Sequence, residues 1–321
     1  MISRRNFSKL ILAGTPLSPA LCTPADATEN GVRLGLSTHS FRDLLRTPGR
    51  DNVDDIIQAV RQAGITEIEL SSANTEPAGP NSGPAVPPPP SVYPDPIKTP
   101  TPAEVAAAKL AVRNSLRDWR LRTPAGAHGA VRDKFHGAGI NVFSYRVDYD
   151  DSFPDEEIEV TFQQAASLGV TTIASLTNLS TARRLAPFAE KHGITVALHN
   201  SANSKNSDAI ASPQSFRAAL AISKHFRLNL DIGNFTAANF EPVAFLQENH
   251  SMISHVQIKD RTRNGGSERF GEGDTPIKEV LRFMKEKHFP APAFVEYEYI
   301  GLGTPQQEVR KCLAYARSAL V

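Results

Sequence analysis

The feature that most constrains this chain is an alternation of strand-like and helix-like segments, repeated eight times. Period-two runs of apolar residues mark strands at 33–41, 67–71, 140–148, 171–176, 195–200, 227–235, 253–261 and 293–299. Helical patterns lie between and after them, at 52–62, 101–122, 127–137, 155–167, 181–191, 213–223, 241–248, 277–287 and 304–319. Their ends carry the expected signals. Thr101-Pro102-Ala103-Glu104 and Thr304-Pro305-Gln306-Gln307 are capping boxes, and Gly64, Gly169 and Gly193 follow helix ends. Strict alternation implies a parallel sheet with its helices outside, and eight units close a barrel. The fold expected is therefore α/β, a single (β/α)8 barrel. An open doubly wound sheet usually has fewer units, and no Gly-x-Gly-x-x-Gly follows any strand. A length of 321 residues with 40% hydrophobic side chains suits one such barrel.

Two stretches stand outside the alternation. Residues 75–102 hold eleven of the 24 prolines, including Pro87 to Pro90, and read as an extended insertion after the second strand. That is the active-site face of a barrel, so a surface insertion is expected there, with a lid as the alternative. At the N-terminus, Ser3-Arg4-Arg5-Asn6-Phe7-Ser8-Lys9 resembles a twin-arginine export signal. A short, weakly apolar segment follows, then Ala25-Asp26-Ala27 as a cleavage site. Residues 1–27 are accordingly read as a signal peptide, 28–321 as the barrel, and the address as periplasmic or secreted. No stable membrane association is expected after cleavage.

The net charge of +1 becomes −1 once the three basic residues and one acidic residue of 1–27 are removed, so nucleic acid is not an expected partner. Cys312 is then the one cysteine left, which excludes an internal disulfide.

Side-chain parity places polar groups on the inner face of four successive strands. These are His199 on the fifth; Asn229 and Asp231 on the sixth; His255, Gln257 and Lys259 on the seventh; and Glu296 and Glu298 on the eighth. All lie toward the C-terminal ends, where barrels carry catalytic groups. His199, Asp231, Gln257 and Glu296 would offer a divalent cation one imidazole, two carboxylates and an amide oxygen. That set suits Mn²⁺ or Mg²⁺, then Zn²⁺ or Co²⁺. Such an ion would polarise a sugar carbonyl while a nearby base removes the adjacent proton.

Several stretches resemble the xylose isomerase-like TIM-barrel family: Gly35 to Arg42, Val196 to Asn200, Leu230 to Asn234, His255 to Asp260, Gly271 to Asp274 and Phe294 to Glu298. The family includes sugar-phosphate isomerases and epimerases. The resemblance spans roughly residues 32–320 and implies a divalent metal held by strands five to eight. It implies that Asp231 and Glu296 are ligands. Gln257 falls where most members carry a ligating histidine, and the hydroxypyruvate isomerase branch has a glutamine in the same context. His199 replaces a glutamate that many epimerases use as an acid or base, and Asn234 stands where a histidine is common.

The expected catalytic groups are Glu296, His199, Glu298 and Lys259, with His199 open as ligand, base or both. Glu298, two residues from Glu296 on the same face, is expected to act as a general acid or to orient Lys259 or Arg261. His39, Glu69, Arg146, Asn200 and His255 are expected substrate contacts. The reaction expected is isomerisation or epimerisation of an unphosphorylated ketose or keto-sugar through an enediolate, in a chain that can also form oligomers. A β-eliminating lyase acting on 3-keto-glycosides and a non-catalytic carbohydrate-binding barrel are the alternatives.

Overall fold

The computed structural model describes residues 28–78, 101–124 and 126–321. The export signal and most of the proline-rich insertion fall outside them. Eight parallel strands form a closed barrel. They are β1 (Val32–Ser37), β2 (Glu67–Ser71), β3 (Asn141–Arg146), β4 (Thr172–Leu176), β5 (Thr195–His199), β6 (Phe226–Asp231), β7 (Ile253–Ile258) and β8 (Ala293–Val295). Each pairs with its sequence neighbour, and β8 returns to pair with β1, Val295 opposite Leu36. A two-residue strand, Thr28–Glu29, pairs antiparallel with β1.

Helices cover the outside because each carries one apolar face. Helix Ile277–Glu286 buries Ile277, Val280, Leu281 and Met284, and helix Val53–Gln62 buries Val53, Ile56, Ala59 and Val60. Helices Asp155–Leu168 and Leu179–His192 end on Gly169 and Gly193 in the left-handed conformation, which turns the chain into β4 and β5. Helix Pro102–Arg122 opens with the expected capping box. Its Arg120 is buried and bonds both Glu76 and Glu157 at 2.7 Å, which ties the helix to the end of β2 and to its neighbour helix. No helix among the described residues is long and apolar enough to cross a membrane.

The N-terminal end of the barrel is plugged by polar and aromatic groups. Arg33 pairs with Glu67, whose carboxylate also accepts from Asn141 at 3.0 Å. Above them the His255 ring meets Phe143 and Phe294 in T-shaped contacts, and those two rings tilt against each other, all at 5.4–5.5 Å between centroids. Gly35 makes this layer possible, since a Cβ there would collide with the Phe294 ring. The barrel interior is thus filled below, and only its C-terminal mouth is open to chemistry.

Several expected strands are shorter than their sequence pattern: the first ends at Ser37 and the seventh at Ile258, and the sixth and eighth are cut short as well. The sixth stops at Asp231 instead of reaching Phe235. The Asp231 carboxylate accepts from the Asn234 backbone N–H at 2.7 Å and caps a short helix, Ile232–Ala237. The eighth ends at Val295, although Glu296 and Tyr297 remain buried beyond it.

Candidate active site

Lys259 is the centre of the mouth. It follows β7 directly, and its side chain is 5% exposed. Its Nζ lies 2.6 Å from Oε2 of Glu298, 2.9 Å from Oδ2 of Asp231 and 3.1 Å from Oε2 of Glu296. The other oxygen of Glu296 accepts from Arg146 at 2.8 Å, and Arg146 also bonds Asp148 at 3.2 Å. Two cations and four carboxylates therefore form one chain of contacts around the rim. Gly233 leaves room for it. A Cβ at that position would sit 2.7 Å from both the backbone oxygen and Cγ of Lys259.

The charges set one another's ionisation. Burial alone would raise Glu296, but Lys259 and then Arg146 hold its carboxyl well below the usual range. Asp231 is likewise lowered against burial, by Lys259 and His199. Burial works against the charged forms of Lys259 and Arg146, yet the surrounding carboxylates raise both.

His199 closes β5 and is 2% exposed. Its Nε2 is 3.3 Å from Asp231 Oδ2 and 3.3 Å from the Asn234 amide nitrogen, and its Nδ1 is 3.2 Å from that of Asn229. His39, in the single turn Thr38–Phe41 after β1, feels the charges of Glu296, Arg146 and Asp148, while burial lowers its pKa. His199, Lys259, Glu296, Glu298, His39 and Arg146 are thus brought together at one mouth.

Three expected substrate contacts lie elsewhere. Glu69 is fully buried below the rim. It accepts from His255 at 2.9 Å, Ser37 at 3.1 Å, and Asn229 and Gln257 at 3.3 Å. His255 is equally buried, with its other nitrogen 3.2 Å from Ser254. Asn200 uses both ends of its amide on the Asp231 backbone, accepting from its N–H at 2.8 Å and donating to its carbonyl at 3.1 Å. Glu69 and His255 lie beneath the site, Asn200 ties the ends of β5 and β6 together, and all three are fully buried.

Asp148, Asn229, Asn234 and Arg261 complete the site, although none of them is among the expected catalytic, ligating or substrate-contacting groups. Arg261 donates to Asn234 Oδ1 at 2.7 Å, which holds that amide beside His199. Asp260, next to Lys259, accepts from the backbone of Gly271, Gly273 and Thr275 at 2.7–3.2 Å and anchors the following loop. Asp148 shares the parity of Arg146 two residues on, a signal the sequence does contain.

The donors suit a divalent cation in part. Asp231 Oδ2 is fully buried and, despite its proximity to Lys259, receives no hydrogen bond. His199 Nε2 and Glu296 converge on the same region, giving nitrogen and oxygen donors of the right kind. Gln257 does not join them. Its oxygen accepts from Asn229 at 3.2 Å and its amino group donates to Glu69. Among the described residues, no three His, Cys, Asp or Glu side chains are set together as a ready metal cage. The carboxylates spread around the Lys259 ammonium instead.

Barrel and charged mouth define a (β/α)8 protein, and comparison with known proteins finds the same fold. The xylose isomerase-like TIM barrel family matches residues 162–319, which carry β4 to β8 and most of the mouth. An L-ribulose 3-epimerase has a similar structure, with a TM-score of 0.59 and 13% identity over 89% of this chain and 94% of that one. The 3-keto-D-glucoside 4-epimerase YcjR from E. coli gives 0.56 and 15% over 89% and 99%. The IOLI protein, with a bound zinc atom, gives 0.57 and 12% over 89% and 97%. At these identities the likeness is one of fold. A search of curated proteins returns no match.

Proposed function

We propose that this chain is a xylose isomerase-like enzyme that isomerises or epimerises an unphosphorylated ketose or keto-sugar by removing the proton next to its carbonyl. The observation that carries this reading is Glu296: a buried carboxylate kept ionised between Lys259 and Arg146 at the barrel mouth. An ionised carboxylate is the form needed to accept a proton. The cations beside it are those that would receive the negative charge developing on the sugar oxygen. As a proton reaches Glu296, Lys259 and Arg146 are released from it and turn toward the enediolate. His199, at the end of β5, stands beside Asp231 at 3.3 Å. It would move the second proton, since neutral imidazole both donates and accepts. His39 would hold a hydroxyl.

Asp231 and Glu296 would hold a divalent ion, Mn²⁺ or Mg²⁺ by donor type, joined by His199 where that imidazole serves as ligand instead of proton carrier; when bound, the ion would polarise the substrate carbonyl. The unphosphorylated substrate follows from reading residues 1–27 as a twin-arginine signal, since phosphorylated sugars are cytoplasmic intermediates. Likeness to a 3-keto-D-glucoside epimerase supports a keto-sugar.

The experiment is NMR of the protein in D₂O, supplied with Mn²⁺ and a panel of ketoses and 3-keto-glycosides. Deuterium should enter at the carbon adjacent to the carbonyl. Absence of exchange with every sugar would sink the reading.

A second reading is β-elimination from a 3-keto-glycoside. It is favoured by Glu298, which is 33% exposed at the entrance and paired with Lys259, as a proton donor to a leaving oxygen. Release of aglycone from a 3-keto-glucoside, and not from the parent glucoside, separates it from the first.

A further inference from the structure

Helix Pro102–Arg122 is fastened to the barrel by charge and leaves one apolar face open. Arg113 donates to both oxygens of Glu157, at 3.0 and 2.6 Å, and Arg120 bonds Glu76 and Glu157. Val105, Ala108, Val112 and Leu116 follow one another at spacings of three and four, so they share a side of the helix. Together with Asp148, Asp150 and Phe153, from the segment after β3, they line a groove of about 610 Å³. Val105 and Val112 are 40% and 41% exposed. Resting on the keto-sugar reading above, we propose that this groove holds an aromatic aglycone, so that the substrate is an aryl keto-glycoside and not a free sugar.

Position, size and lining support this occupant. The groove meets the mouth at Asp148, whose side chain is 44% exposed and belongs to both. Asp148 bonds Arg146 at 3.2 Å, and Arg146 bonds the proposed base Glu296 at 2.8 Å. One sugar ring spans that reach, so a sugar seated with its carbonyl side at Glu296 projects its far substituent past Asp148 into the groove. The volume is that of a small-molecule site, about 300–1,000 Å³. A stable protein partner needs a much larger contact surface. The lining suits a flat ring. Aliphatic side chains along the helix would cover its faces and edges, and Arg113 and Arg120 also line the groove. Both guanidinium groups already lie over the ring of Phe153, at 4.2 and 5.0 Å from its centroid. A planar guanidinium stacks equally on a second aromatic ring.

The test is the deuterium-exchange assay above, run on the full chain with the methyl and 2-naphthyl 3-keto-β-D-glucosides. The naphthyl glycoside should show a kcat/KM about tenfold or more above that of the methyl one, expressed in KM, as burial of the ring predicts. Ala108→Trp, which fills the groove, and Val112→Asp, which charges it, should each bring that ratio close to one. Both positions lie on the exposed helix face, so the fold tolerates them. A second measurement needs no turnover. Saturation-transfer NMR with the unoxidised 2-naphthyl β-D-glucoside should label the naphthyl protons most strongly, and Ala108→Trp should cut that labelling several-fold. Equal kcat/KM for the two glycosides, or a ratio that both variants leave unmoved, would overturn the aglycone groove while the keto-sugar reading stands. Naphthyl labelling that Ala108→Trp removes, with no exchange in any sugar, would overturn the keto-sugar reading and keep the groove as an aryl site. A concentration-dependent dimer in analytical ultracentrifugation that Val112→Asp disperses would assign this face to a second copy of the chain and overturn the proposal.

Discussion

Glu296 and Lys259 form a buried ion pair at 3.1 Å, and Arg146 occupies the other oxygen of the same carboxylate at 2.8 Å. Lys259 and Arg146 hold this carboxyl well below the usual carboxylate range against the effect of burial. Its low pKa makes it a weak base until those cations find another anion. Substrate binding supplies one, as charge develops on the sugar oxygen. The pair is therefore both the brake and the trigger of the proposed proton transfer.

Glu296→Gln should reduce deuterium exchange into the active keto-sugar by about 10²–10⁴-fold, the usual range for a positioned base. Circular dichroism should report an unchanged fold. Exchange within a factor of ten of the unsubstituted enzyme would assign the base elsewhere, with His199 next to be replaced.

Gly233→Ala should harm both stability and activity. Its Cβ would stand 2.7 Å from the Lys259 backbone oxygen, which belongs to a strand end and yields little. Overpacking of this kind costs about 1–3 kcal/mol. Urea unfolding should show that loss, and the shift imposed on Lys259 should lower the exchange rate as well. A variant as stable as its parent would mean that the backbone after β7 gives way more readily than this packing implies.

Much of this site was legible because period-two parity assigns a strand residue to a face. His199, Asp231, Lys259, Glu296 and Glu298 all fall where parity puts them. Parity does not report depth. Glu69 and His255 share the inner face with the mouth residues but lie below it, and only the closed sheet separates the levels. Nor does a sequence pattern reveal where a strand gives way to a cap, so the Asp231-capped turn reads as more strand. The parity of β3 is ambiguous in sequence because a register shift opposite Ile68 and Glu69 breaks the alternation, and the structure turns Arg146 inward. Gln257 reads as a ligand from its position. Its amide is engaged by Glu69 and Asn229, neighbours supplied by β2 and β6.

Stability should fall on mild acidification because of His128, which lies far from the proposed chemistry. It is 2% exposed, neither ring nitrogen has a partner, and it packs edge-on against Trp119 and Tyr145 at 6.4 and 6.0 Å. Burial lowers its pKa from 6.5 to about 4. A group depressed on folding contributes stability that is present above its unfolded pKa and lost as pH falls toward the folded one. About 3 kcal/mol should therefore disappear between pH 6.5 and 4. His128→Phe, which keeps the ring, should flatten urea-derived stability across that window. The prediction fails if the slope survives the substitution.

The Glu69–His255 pair should prove structural. Its two members are fully buried, 2.9 Å apart, with Phe143 and Phe294 against the imidazole and four further polar groups around the carboxylate. Burial raises the Glu69 pKa on its own account. The hydrogen bond and charge of His255, with Arg146 behind them, outweigh it and leave the carboxyl below its ordinary value. Removing either partner alone leaves a buried group without its counterpart, which typically costs about 3–5 kcal/mol. Glu69→Gln and His255→Phe should each lower the urea midpoint by amounts of this order. The double variant should recover part of the loss, a coupling of about 1–3 kcal/mol. Because neither side chain opens onto the mouth, the folded fraction of each variant should bind the active sugar with a KM within about threefold of the unsubstituted protein. A KM raised a hundredfold with stability intact would instead place Glu69 in contact with substrate, as its position on an inner strand face first suggests.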